Sequence, residues 1–285
     1  MLCHVESNTE SNTESNTEPN APAPQPSQVA FREYLPHAPL SHVALAAEIA
    51  LAITFNGLSQ AVMMVSPGNL EDFIRGFSLS NAIIDSVDEI YDIRLSHFDQ
   101  ACQAEVQISS RAFWALKDHR RQMAGTSGCG ICGVEALEQA LPQLQILQPC
   151  ALPPAAHFDG IRQRIEQAQQ LARSSGALHA ALYFDASGEA LLCREDIGRH
   201  NALDKLIGAM QIADVDARQG FVVVTSRCSL ELIHKAVRAR LGTLVSLSAP
   251  TALTVRWALK HRLNLIHVPH RNAPRIYSPI QELLP

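Results

Sequence analysis

Five short apolar runs in the second half of the chain, interleaved with helical segments, restrict the fold more than any other feature. The runs are Ala177–Phe184, Glu189–Cys193, Phe221–Thr225, Thr243–Leu247 and Leu263–Val268. They are strand-length, and FVVVT shows the β-branched, unbroken apolar character of a strand buried on both faces. His200–Met210, Leu230–Arg240 and Thr251–His261 carry helical spacing. DASG, Asp185 to Gly188, is a turn sequence between the first two runs. A further helix is expected over Phe158–Arg173, ending near Gly176. The resulting order, α-β-β-α-β-α-β-α-β, is that of a layered α/β domain with a mixed sheet.

The first half reads as α+β. EIALAITFN, Glu48 to Asn56, is a strand closed by Asn56-Gly57, a favoured hairpin pair, and Gln60–Ser66 returns from it. Leu70–Leu79 is helical, with Glu71 and Asp72 near its start, where the helix dipole favours acids. Ile90–Leu95 and Ala101–Ile108 are two more strands, and Val134–Ala140 a helix stopped near Pro142. Three prolines within Gln145–Pro154 mark a boundary. The expected division is a disordered tail at 1–28, an N-terminal α+β domain at 29–147 and an α/β domain at 148–285. The tail is expected because SNTE repeats three times from Ser7 to Glu18 and a Pro-rich stretch follows, neither able to bury enough surface to order itself.

Charge and cysteine usage narrow the function. A formal charge of −5 over 285 residues argues against generic nucleic-acid binding. No run of 18 or more apolar residues suggests a membrane span, and MLCHVESNTE lacks the basic start and apolar core of a secretory signal. A cytoplasmic protein with mostly reduced thiols is expected. Five of the seven cysteines stand singly; only Cys129 and Cys132 form a close pair, in TSGCGICG.

Four chemistries compete for that pair. Structural zinc wants four ligands, but there is no second Cys pair, and His267 and His270 lie at the far end of the chain. A base-deaminase zinc site would suit the β-β-α-β-α-β order, yet needs His-x-Glu on a helix, whereas His179 sits in HAA on a strand. Dithiol redox suits a thiol just before a helix, whose N-terminus lowers its pKa, but the expected strand order around it is missing. Sulfur carriage wants a reachable, low-pKa thiolate with a helper thiol beside it. Residue chemistry alone leaves redox and sulfur carriage open, beside an incidental pair of loop cysteines.

Downstream, Arg194 to Gly208 reads REDIGRHNALDKLIG, too dense in charge for an ordinary solvated junction. This stretch resembles the hallmark of the FdhD family of sulfur-carrier proteins. EIALAITFNG, SPGNLEDFIRGF, SGCGICGVE, TSRCSLELIHKA and SAPTALTVRWA resemble further blocks of that family, in order, over roughly residues 40–285. The resemblance implies a small N-terminal domain followed by a cytidine-deaminase-like α/β domain without catalytic zinc, in a homodimer. It implies that a cysteine desulfurase loads the Cys-x-x-Cys loop with persulfide sulfur. The sulfur then passes to the bis-molybdopterin guanine dinucleotide molybdenum cofactor, bound as substrate, before its insertion into formate dehydrogenase. A non-catalytic chaperone for the same cofactor is the alternative.

On this reading Cys129 carries the persulfide and Cys132 assists. Asp196, Arg199, His200 and Lys205 build or line the cofactor groove, or else form a buried ion-pair network at the strand-to-helix junction. Ser226, Arg227, Ser229 and Lys235 are expected at a second such turn, suited to phosphate. VPHRNA, that is Val268, Pro269, His270, Arg271, Asn272 and Ala273, follows the last strand read from the sequence, where α/β sheets place ligands, and the matching family segment contacts the cofactor.

Overall fold

The computed structural model describes residues 27–125, 144–176 and 178–279. Most of the SNTE-rich tail, the Cys129–Cys132 pair and the helix expected over Val134–Ala140 lie outside the described residues.

The first half holds β3 (Ile49–Phe55), β4 (Leu58–Val65), α1 (Leu70–Ser80), β5 (Ile90–His97), β6 (Ala101–Ile108) and α2 (Ser110–Gly125), after an antiparallel ribbon of β1 (Ser27–Phe31) and β2 (Ser41–Leu45). Strand β1 begins two residues inside the stretch read as tail. The sheet order is β4-β3-β6-β5, with β3 and β6 parallel. Alternation builds it: Ile49, Leu51, Ile53 and Phe55 are buried, and the residues between them are only half-buried. Asn56 and Gly57 both take positive φ, 47° and 79°, the mirror-image turn that suits a tight hairpin. Helix α2 was not read from the sequence; the Ser109 hydroxyl caps it by accepting the Ala112 amide at 3.1 Å.

The second half holds α3 (Ile161–Ala168), the short α4 (Ala172–Ser175), β7 (His179–Phe184), β8 (Ala190–Asp196), α5 (Arg199–Ile212), β9 (Phe221–Val224), α6 (Leu230–Arg238), β10 (Thr243–Ser246), α7 (Ala252–Lys260), β11 (Asn264–His267) and β12 (Arg275–Ser278). Six strands form one mixed sheet, ordered β12-β11-β10-β9-β7-β8. Strands β9, β10 and β11 are parallel, and β7 runs against both neighbours. The layered α/β reading with a mixed sheet holds, with β12 as an antiparallel edge strand the sequence did not reveal. Leu206, Ile233, Ala236 and Ala258 cover one face over Ala181 and Val222; Ile161 and Ile165 cover the other over Leu182 and Val223. Each such large side chain contributes about 1.5–3 kcal/mol by leaving water.

One expected helix is broken. Phe158–Arg173 gives α3 and α4 with an interruption between, because the Glu195 carboxylate accepts the amides of Gln170, Leu171 and Ala172 at 2.8–2.9 Å. A partner more than twenty residues away thus decides where the helix stops.

The two halves meet along α1 and α5. A Cβ on Gly76 would lie 1.8 Å from the Asp204 carbonyl oxygen, and one on Gly208 1.9 Å from that of Asp72. The helices therefore cross backbone to backbone, and only glycine fits at both positions.

Candidate functional site

The dense motif is the strand-to-helix junction from β8 into α5, and it divides into a buried frame and an open edge. Asp196 and Lys205 are fully buried, 2.7 Å apart. Asp196 also accepts the Ser66 and Gly198 amides at 2.9 and 2.8 Å and the Asn201 side chain at 3.0 Å. Lys205 donates to the Ser66 carbonyl at 2.9 Å. This network ties SPG, the turn after β4, to α5 from a distance of some 130 residues. Burial pulls the Lys205 ammonium below the usual lysine range, opposed by Asp196.

A second buried pair starts from the neighbouring residue of α5. Lys235 donates to Asp204 at 2.8 and 3.1 Å, and the Ser80 hydroxyl donates to Asp204 at 2.6 Å. Burial raises the Asp204 carboxyl, with Lys235 and Ser80 working against it. Lys235 therefore sits inside α6 as a structural cation, not at the strand-to-helix turn expected for it. Arg194 closes the frame by pairing with Asp72 of α1 at 2.6 Å. Of the four junction residues expected to build or line a groove, Asp196 and Lys205 thus serve as buried frame, with no surface left for a ligand.

Arg199 and His200 are half-buried at the first turn of α5, at the sheet edge where β8, β9, β10 and β11 end. Arg199 makes no ion pair among the described residues, and its Nε is buried without a partner. Arg227, exposed in the turn after β9, also makes no ion pair among the described residues. Both guanidiniums bear on His179, paired with Asp196 across the β7–β8 ladder. Burial first, then these two charges, lower the His179 pKa and keep its ring neutral. His200 faces the Ser229 hydroxyl at 3.2 Å and Glu231 at 3.1 Å. Its pKa falls through burial, which the Glu231 charge only partly opposes. Ser229 precedes α6 but its side chain makes no capping bond to the helix, meeting His200 instead. Ser226 is buried beneath this turn.

The segment after β11 reaches the same edge. The Val268 amide donates to Ser246 at 2.9 Å and its carbonyl accepts from Arg162 at 2.9 Å, so the segment starts from a fixed point. Pro269 is half-buried; His270, Arg271, Asn272 and Ala273 are exposed. The C-terminal end of the sheet thus carries Arg199, His200 and Arg227 after β8 and β9, and His270 and Arg271 after β11, all of them hydrogen-bond donors on an acidic protein. Such an edge suits an anionic ligand with several acceptor oxygens. Among the described residues, no group of three or more His, Cys, Asp or Glu side chains could hold a metal ion, and no helix is long and apolar enough to cross a membrane.

The sequence suggests only a zinc-ligand role for His179; the influence of two arginines on it follows from the pairing of β7 with β9. Glu195, counted only as part of the charged window, turns out to hold the α3–α4 break.

A sequence model of the FdhD/NarQ family matches residues 46–284. A Cupriavidus necator protein named sulfur carrier protein FdhD is 40% identical over 247 residues, covering 86% of this chain and 85% of its own. A protein of the same name from Xanthomonas oryzae pv. oryzae is 42% identical over 243 residues, covering 84% and 85%. In structure, the chain resembles a Desulfotalea psychrophila protein assigned as a formate dehydrogenase accessory protein. That likeness has a TM-score of 0.70 and 19% identity, covers 92% of this chain and all of the other, and speaks for the fold. With its matched length, the order of its blocks and the locked junction they build, the chain belongs to the FdhD/NarQ family.

Proposed function

We propose that this chain is a cytoplasmic sulfurtransferase serving formate dehydrogenase. The Cys129 thiolate attacks the terminal sulfur of a cysteine desulfurase persulfide. The donor's S–S bond breaks, the donor leaves as a thiolate, and a persulfide forms on Cys129 with no net oxidation. Cys132 assists release: its thiolate attacks the inner sulfur of the Cys129 persulfide, and a Cys129–Cys132 disulfide forms. The outer sulfur leaves at the sulfide level for the bis-molybdopterin guanine dinucleotide molybdenum cofactor, the second substrate; a thiol reductant then restores the pair. The names of relatives about 40% identical over most of the chain support the sulfur-carrying role.

The observation that carries the cofactor half is the sheet end where Arg199 and Arg227 make no ion pair among the described residues, with exposed His270 and Arg271 following β11 at that same end of the sheet. Its charge suits the two pyrophosphates of the cofactor, held by forked guanidinium contacts. The buried frame of Asp196 and Lys205 would position that edge. We read the six-stranded layer as a cytidine-deaminase-like scaffold without its zinc, the units as 29–147 and 148–285, and the working form as a homodimer.

The test is Cys129→Ala in cells that depend on this chain for formate dehydrogenase. Folded, expressed protein with no enzyme activity is the expected outcome. Full activity would remove the persulfide role and leave the cofactor chaperone.

A further inference from the structure

We infer that a second anion site, for a phosphate-bearing ligand, lies at the opposite edge of the six-stranded sheet, in the cleft between α1 and the C-terminal ends of α5 and α6. Two adjoining cavities of about 660 and 440 Å³ open there and share Leu79, Asp85, Gln145, Arg238 and Arg240. The larger is of a size that accepts a small organic molecule. Gln211 lines it, twelve residues along α5 from Arg199, or about 18 Å at the helical rise. The cleft is therefore separate from the edge described above.

Three arginines line the larger cavity, and none has a carboxylate partner among the described residues. Arg218 gives one hydrogen bond, to the Pro149 carbonyl at 3.1 Å, and Arg238 gives one, to Ser80 at 3.2 Å. Arg240 is exposed and its guanidinium gives none among the described residues. The two carboxylates of the cleft are engaged. Asp85 pairs with Arg111 at 2.7 Å; Asp216 accepts the Arg218 amide at 3.0 Å and the Gln219 side chain at 3.2 Å. Gln145, Gln148 and Gln211 add side-chain amides with no partner among the described residues, and Leu147 and Leu241 form an apolar wall.

The dipole of α6 favours cations at its C-terminus and accounts for part of the charge of Arg238 and Arg240. It does not account for Arg218, which lies on another segment, and none of the three bonds a carbonyl of α6. Half-buried Arg238 bears the cost of desolvation, which lowers its pKa, with no anion to offset it. One carboxylate would occupy only one guanidinium fork. Three forks around one cavity match a ligand with two or more charges and several acceptor oxygens, which a diphosphate supplies.

Calorimetry on the full chain carrying Arg271→Ala, which weakens the other edge, tests this with inorganic pyrophosphate and with ADP as probes. Binding of either is expected, tighter for ADP if the ligand is a nucleotide and equal if it is a free polyphosphate. Adding Arg240→Gln, on an exposed side chain that leaves the fold intact, should weaken it about tenfold or more, and so should Arg238→Gln. No binding of either probe, or binding unchanged by both arginine substitutions, would overturn the proposal. The proposed sulfur chemistry at Cys129 stands or falls independently of it.

Discussion

Lys205→Met separates a structural from a ligand-binding role for the buried junction. The substitution keeps length and apolar volume but removes the ammonium that sits 2.7 Å from Asp196, both groups fully buried. Breaking one side of a buried pair costs about 3–5 kcal/mol, because the remaining charge stays desolvated. Asp196 keeps three donors, Ser66, Gly198 and Asn201, so the lower end is expected. Thermal unfolding should show that as a Tm lowered by roughly 5–10 °C in a chain of this size. Asp196→Asn in the same chain should restore part of the stability, because no unpaired charge is then left buried. A Tm within about 1 °C of the parent, with GDP binding weakened, would refute the buried-frame reasoning and return Lys205 to the ligand.

Gly208→Ala should separate the halves: the new methyl falls roughly 1.5 Å short of the 3.4 Å of ordinary contact with Asp72, for a cost near 3 kcal/mol, visible in denaturant unfolding. His234, packed on Trp257 at 4.8 Å, has its pKa pushed down to about 4 by burial, Arg238 and His261, with Glu231 opposing. The unfolded chain takes up the proton first, so stability should fall as pH drops from about 6.5 toward 4, and His234→Phe should make that decline shallower in a pH series of melts. Arg271→Ala should weaken GDP binding in calorimetry, and salt should weaken it in the parent, because phosphate contacts are partly ionic; unchanged affinity would remove Arg271 from the site.

What could be read beforehand was local. Ile49 to Phe55 alternates, Phe221 to Val224 is wholly apolar, and Asn56-Gly57 names its own turn, so those elements appear where expected. What could not be read depends on partners far along the chain. Nothing near Gln169 breaks a helix; the Glu195 carboxylate does. Nothing in LDKLIG says that Lys205 is buried or that Gly208 meets Asp72; that needs α1, more than a hundred residues earlier. Strands β1, β2 and β12 were missed because four- and five-residue edge segments carry too little periodicity. Helix α2 had its signal, Ser109 ahead of RAFWAL, overshadowed by the cysteine stretch that follows. The candidate edge was half legible: the motif pointed to Arg199 and His200, but the division of its charges between frame and edge came from the packing.

The central claim is that Cys129 holds sulfur, and intact mass reads it directly. The full chain is incubated with a cysteine desulfurase and cysteine, then weighed with and without reductant. A gain of about 32 Da per sulfur atom, removed by reductant and absent in Cys129→Ala, is predicted. No gain on the parent, or the same gain on Cys129→Ala, would contradict the account.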